Sequence, residues 1–254
     1  MLLALVVLLS TTFAQDLKVA AAADLSAALE KLSAAFEKQT GIHLSISLGS
    51  SGNFYSQIQN GAPFDVFLSA DKSYPDKLMR AGLTDGGQTL YARGQLVVWI
   101  SNSSQLQLES KNLQVLAGNL DQLAGPVVRK IAIANPEHAP YGRAAVEALK
   151  HYGIYDRVQK KLVLGENISQ TAQFGQSGNA DVAFIALSLA MTDSMRQSGH
   201  YLILPSSSYS PLEQAGVVVR ASASKEKARR FLDFLVSPEG QRILRQSGFE
   251  SPQK

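Results

Sequence analysis

Cysteine is absent from all 254 residues, which excludes disulfides, thiolate catalysis and cysteine-ligated zinc together. Charge of either sign is sparse, with 24 Lys and Arg against 21 Asp and Glu, and paired basics are few, Lys160-Lys161 and Arg229-Arg230 among them. Both pairs lie in patterns that read as helical surface. Without a basic stripe interleaved with aromatics, nucleic acid is not an expected partner. The small excess of +3 modestly favours encounter with a small anion. Histidine is scarce too: His43, His138, His151 and His200 are the full set. Beyond the first fifteen residues no apolar run approaches the roughly eighteen needed to span a bilayer, so the chain past that point is expected to be soluble.

What is present is enough apolar residue, 45% of the chain, to bury a substantial core in one large domain or two smaller ones. Residues 1–15 carry no charge and run Leu2-Leu3-Ala4-Leu5-Val6-Val7-Leu8-Leu9 before turning small and polar through Thr11, Thr12, Phe13 and Ala14. That pattern reads as a secretory signal cut after Ala14, although no Lys or Arg precedes the apolar run. Export to the periplasm is the expectation, a compartment that permits disulfides without demanding them.

Residues 44–59, LSISLGSSGNFYSQIQ, organise the rest. Leu44, Ile46 and Leu48 alternate as in a half-buried strand, Gly49-Ser50-Ser51-Gly52 turns the chain, and a helix opens near Asn53. The first N–H groups of a helix lack intrahelical partners, so with the Ser50 and Ser51 hydroxyls beside them they form an anion site. The plainer reading is a tight turn with a capping serine. The same grammar precedes it: a strand at residues 17–22, then Ala23-Asp24-Leu25-Ser26 leading into a helix whose Leu25, Ala28, Leu29, Leu32 and Phe36 recur at helical spacing, with Asp24 as N-cap. It follows again at residues 64–69, before a helix begun by Ser73-Tyr74-Pro75. Three strand–helix units in about eighty residues predict a parallel α/β sheet with right-handed crossovers. Ligands gather at the carboxyl ends of such strands, so the turns at Ala23-Asp24 and Ser50-Ser51 should face one crevice.

The segment 90–100 carries a strand over Leu96-Val97-Val98-Trp99-Ile100 and continues into an Asn/Ser/Gln-rich stretch to Ser110, the first candidate crossing between lobes. Strands follow at 131–134, 162–164 and 182–186, the first ending in Asn135-Pro136-Glu137-His138-Ala139-Pro140-Tyr141-Gly142-Arg143 before a helix, the second in Glu166-Asn167-Ile168-Ser169. A strand near Ala215 reads as the return to the first lobe, and helices at 225–235 and 238–246 close the chain. Two crossings between two α/β lobes describe a hinged cleft.

In that order, Val19-Ala20-Ala21-Ala22-Ala23-Asp24-Leu25, Gly49-Ser50-Ser51-Gly52, Gly61-Ala62-Pro63-Phe64-Asp65-Val66-Phe67-Leu68-Ser69-Ala70-Asp71, Asn135-Pro136, Ala139-Pro140-Tyr141-Gly142 and Ser237-Pro238-Glu239-Gly240 resemble the periplasmic molybdate-binding proteins of ABC transporters, from residue 16 to the end. The resemblance implies a type II periplasmic-binding-protein fold with lobe I at 16–92 plus 212–254 and lobe II at 93–211. It also implies capture of molybdate or tungstate and delivery to a membrane permease by a monomer without cofactor, molybdenum being bound only as its oxyanion. Members of the family hold the ion with neutral donors from turns after strands. The matching positions are Asp24, Ser51, Tyr141 and the backbone N–H of Ile168, with Ala23 and Ser50 as possible additions. Two departures stand out. Many members have Ser, Thr or Asn at Asp24, and a carboxylate donates nothing unless protonated; a cap role for Asp24 with ligand contact by turn N–H groups is the expectation. Some carry a tyrosine in the strand that reads Phe184-Ile185-Ala186 here, for which Tyr141 substitutes.

A site of donors alone would disfavour protonated phosphate, and its size would set selectivity against sulfate. A binding protein for another tetrahedral oxyanion, or a sensory module on the same fold, remains open. A serine hydrolase would need Ser50 or Ser51 with a histidine base, yet the turn is not Gly-x-Ser-x-Gly, and His138 reads as an exposed loop residue. Asp65 and Asp71 read as capping residues in preference to a carboxylate pair.

Overall fold

The structure, a computed structural model, describes residues 16–106 and 120–252; the expected leader at 1–15 and the end of the Asn/Ser/Gln-rich stretch, 107–110, lie outside them. Each of two α/β lobes is built on a five-stranded sheet. In the first, β1 (Leu17–Ala22), β2 (Leu44–Gly49), β3 (Val66–Ser69), β4 (Thr89–Gly94) and β10 (Leu212–Val218) lie in the order β2-β1-β3-β10-β4. The second holds β5 (Leu96–Ser101), β6 (Ile131–Ala134), β7 (Leu162–Gly165), β8 (Val182–Ala186) and β9 (Gly199–Ile203) in the order β7-β6-β8-β5-β9.

Strands β1, β2 and β3 are parallel, as are β6, β7 and β8, but β10 runs antiparallel to β3 and β4, and β5 antiparallel to β8 and β9. The expectation of a parallel sheet therefore holds for three strands in each lobe and fails at one. The reason is where the chain crosses. Segment 90–100, read as carrying one strand, carries two: β4 ends at Gly94 in one sheet and β5 begins at Leu96 in the other. A strand that starts at the crossing runs away from the junction, opposite to strands that deliver their carboxyl ends to it, and β5 and β10 both start there.

Helices cover the sheets: α1 (Ser26–Thr40), α2 (Ser51–Gln59), α3 (Ser73–Arg80), α4 (Pro140–His151), α5 (Tyr155–Val158), α6 (Ile168–Gln176), α7 (Leu187–Ala190), α8 (Asp193–Ser198), α9 (Lys225–Val236) and α10 (Pro238–Gln246). Helix α1 buries the apolar stripe Ala28, Leu29, Leu32 and Phe36. Phe36 meets Phe231 and Phe234 of α9 with ring centroids 5.1 and 5.5 Å apart, which ties the last helices back onto the first lobe. Gly41 ends α1 with φ of 67°, a left-handed cap that favours glycine. Among the described residues no helix is long and apolar enough to cross a membrane.

Asp65 does not cap a helix. Its carboxylate accepts from the N–H of Lys18 at 2.8 Å and from Ser222 Oγ at 2.6 Å, so it holds strand ends together. Asp71 does serve a helix start, accepting from the N–H groups of Ser73 and Tyr74 at 3.1 and 3.4 Å.

Candidate ligand-binding cleft

Four chain turns point their amino ends at one cavity between the lobes. They are the single 3₁₀ turn Ala23–Leu25 and the starts of α2, α4 and α6. In α2, Ser50 is the N-cap, its Oγ accepting from Asn53 N–H at 3.4 Å. The Gly52 N–H donates to the His138 carbonyl at 2.8 Å, which leaves the N–H of Ser51, the first helical residue, without an intrahelical acceptor. In α6, Asn167 Oδ1 accepts from Ser169 and Gln170 N–H at 3.0 Å each, and Ile168 is left in the same position. Helix α4 opens on Pro140, which has no N–H, so its first free donor belongs to Tyr141. Three partial positive helix ends thus converge without a cation.

Ala23, Asp24, Ser50, Ser51, Tyr141 and Ile168 all line this cavity, together with Gly49, Ala70 and Ala139 among others. With the lobes closed, the volume open to a water-sized sphere is about 10 Å³, far below the range of pockets for drug-sized organic ligands. Ser51 Oγ accepts from the N–H of Ala70 at 3.0 Å. With one lone pair so engaged, its proton is free to donate into the cavity. Phe184 is buried within β8 and does not line the cavity, whereas Tyr141 does.

Asp24 is where the expectation fails. Neither the 3₁₀ turn nor α1 has a side-chain cap; the carboxylate turns inward, fully buried, and accepts from Gln214 Nε2 on β10. Among the described residues no hydrogen bond of good geometry reaches its Oδ1, although the Tyr141 hydroxyl is near enough to act on the carboxylate. Burial pushes its pKa up to about 6, against lowering by Gln214 and Tyr141. Burial also holds the Tyr141 hydroxyl well above the usual phenol range, and the Asp24 charge adds to it. The cavity is therefore not lined by donors alone.

Gln214 and Tyr91 were not legible as site residues. A register shift between Gln214 and Ala215 marks a bulge in β10, the kind of irregularity that re-aims a side chain. Gln214 is fully buried; its Nε2 lies 3.5 Å from Tyr141 Oη, and its Oε1 accepts from Tyr91 Oη at 3.0 Å. A lone polar residue facing inward from an apolar strand was the available signal.

The lobes are closed on one another. Besides Gly52–His138, Ser169 Oγ donates to the Ala23 carbonyl at 3.0 Å and Ser188 Oγ to the Asp24 carbonyl at 2.7 Å. Asn53 Nδ2 donates to Glu166 Oε1 at 2.5 Å, and Arg143 pairs with Asp71 and donates to Tyr74 Oη at 3.2 Å. His138, expected as an exposed loop residue, is half-buried with Nδ1 2.9 Å from Ser50 Oγ. That is the spacing of a nucleophile and its base. However, Ser50 is buried and engaged as a cap, and among the described residues no carboxylate bonds the other ring nitrogen of His138 to orient it.

A family model described as bacterial extracellular solute-binding protein matches residues 17–250. The molybdate-binding protein ModA of Rhodobacter capsulatus is 36% identical over 93% of this chain and 88% of its own. Among solved structures, the Azotobacter vinelandii periplasmic molybdate-binding protein aligns with a TM-score of 0.84 at 35% identity, covering 94% of this chain and 100% of that one. The substrate-binding domain of a putative molybdenum ABC transporter from Clostridium difficile aligns at 0.67 and 27% identity, over 94% and 99%. With the type II periplasmic-binding architecture and an interlobe cavity in place, this chain belongs to the bacterial extracellular solute-binding protein family.

Proposed function

We propose that the cleft captures molybdate or tungstate outside the cytoplasm and presents it to an ABC permease, with no enzymatic step. The observation that carries this reading is the convergence of the Ser51, Tyr141 and Ile168 N–H groups and the Ser51 and Tyr141 hydroxyls on one small interlobe cavity whose lining holds no Lys, Arg or His. An oxyanion stripped of water needs several oriented donors, and helix ends supply them at no cost in reorganisation. Relatives named for molybdate binding support the same ligand. Asp24, Ser51, Tyr141 and Ile168 are the proposed contacts, with Ala23 and Ser50 beside them.

The reading extends to the chain's organisation. Lobe I is residues 16–92 with 212–254 and lobe II is 93–211, joined at two crossings that act as the hinge; residues 1–15 direct export, and the protein works as a monomer. Ligand contacts from both lobes favour the closed population, which the permease distinguishes from the open one. Calorimetric titration with molybdate, tungstate, sulfate and phosphate tests the assignment. Molybdate and tungstate, nearly equal in size and charge, should bind alike and sulfate at least tenfold more weakly; equal affinity for sulfate would overturn it.

A further inference from the structure

Asp24 is the one ionisable carboxylate lining a cavity otherwise suited to an anion. It is fully buried, Oδ2 is held by Gln214, and among the described residues no hydrogen bond of good geometry reaches Oδ1. The groups that face it are neutral: Gln214 from β10, Tyr141 from α4, and Tyr91 from β4 through Gln214. From α7, Ser188 meets only its backbone carbonyl, and α6 carries no ionisable residue. The charged residues of α1, Glu30, Lys31, Glu37 and Lys38, are exposed. Arg143 is engaged with Asp71 and Tyr74, and His138 with Ser50. Among the described residues no cation pairs with the carboxylate, and an ionised carboxylate beside a dianion in a buried site is strongly unfavourable.

Resting on the oxyanion reading above, we propose that each tetrahedral dianion enters this site together with one proton, held between Asp24 Oδ1 and an oxygen of the ion. The balance is one dianion and one solvent proton combining with the ionised, empty site; only an O–H bond forms. Oδ1 thereby becomes a donor to the ion, and the Tyr141 hydroxyl, no longer drawn to a carboxylate, is released to donate as well. Burial already lifts Asp24 to about 6, and a dianion in contact lifts it further. Above pH 6 the empty site is ionised while the filled one is protonated, so uptake approaches one proton per ion and affinity falls as pH rises.

Titration of the purified protein with sodium molybdate at pH 7, 8 and 9, in buffers of different ionisation enthalpy, tests this. The expected result is uptake of about one proton per molybdate and a Kd that rises about tenfold per pH unit. Asp24→Asn should abolish both dependences and bind at least tenfold more tightly than the parent at pH 9. Buffer-independent heats with a flat Kd in the parent protein would overturn the proposal, whatever the variant does. Failure to bind molybdate, tungstate, sulfate or phosphate at any pH would remove the oxyanion reading itself, and the proton coupling with it.

Discussion

Gly52 and His138 meet backbone to backbone across the cleft, the N–H of one donating to the carbonyl of the other at 2.8 Å. A Cβ placed on Gly52 would stand 2.6 Å from His138 Cβ, 2.7 Å from that carbonyl and 2.6 Å from Tyr74 Oη, closer than packed atoms tolerate. The two contacts with His138 exist only when the lobes are together, whereas Tyr74 Oη belongs to the same lobe as Gly52 and is the far end of a side chain that can shift. Gly52→Ala should therefore leave the open protein folded and penalise closure by about 1–3 kcal/mol, which is a loss of oxyanion affinity of about fivefold to 150-fold. Calorimetry checks the affinity and small-angle scattering the closure; a variant that binds and compacts like the parent would show that closure bends around this contact.

Ser51 does two things with one hydroxyl. Its Oγ accepts from the buried N–H of Ala70 at 3.0 Å, and its proton stays free to serve the cavity. Ser51→Ala should weaken oxyanion binding and, because Ala70 N–H is left without a partner, also destabilise the empty protein by about 1–3 kcal/mol. Denaturant unfolding without ligand checks the second effect independently of the first. Stability equal to the parent would mean that another acceptor or water replaces the hydroxyl.

Much of this arrangement was legible because it is local. Strand, turn and helix start follow one another within a few residues, and the spacing of Leu25, Leu29, Leu32 and Phe36 or the turn at Glu166-Asn167-Ile168-Ser169 needs no tertiary information. Asp24 was misread for the same reason. An Asp ahead of an apolar helix is an ordinary cap by local rules, but here tertiary packing turns the carboxylate inward onto Gln214, 190 positions away. Gln214 itself depends on a bulge, and the antiparallel course of β5 and β10 depends on where the chain crosses between sheets. The His138–Ser50 contact joins residues 88 apart, beyond any local pattern.

Tyr141 offers a contrast to Ser51. Its hydroxyl is buried, yet the hydrogen bond it accepts from Gln214 Nε2 is long at 3.5 Å. Little folding energy rests on that contact. Tyr141→Phe should lower oxyanion affinity by about tenfold, the worth of one hydrogen bond to a charged group, while the empty protein's unfolding midpoint stays near that of the parent. Loss of stability without loss of affinity would assign Tyr141 to the core and remove it from the site.

Asp24 makes the empty protein's stability depend on pH in a definite direction. Its pKa rises from 3.8 to about 6 on folding, with burial the largest cause. Raising an acid's pKa favours the folded state where the group is protonated, so this contribution is fully present below pH 3.8 and is lost as pH climbs through 6. A shift of about two pH units at about 1.4 kcal/mol each costs about 3 kcal/mol at neutral pH. Asp24→Asn keeps an oxygen for Gln214 but carries no charge, so it should match the parent below about pH 4, gain steadily from pH 4 to 6, and be more stable by up to about 3 kcal/mol at pH 7.5. Urea unfolding of both proteins across that range, without oxyanion, measures the difference. A gap that stays constant with pH would mean that Asp24 is solvated in the empty protein and that its burial belongs only to the closed form.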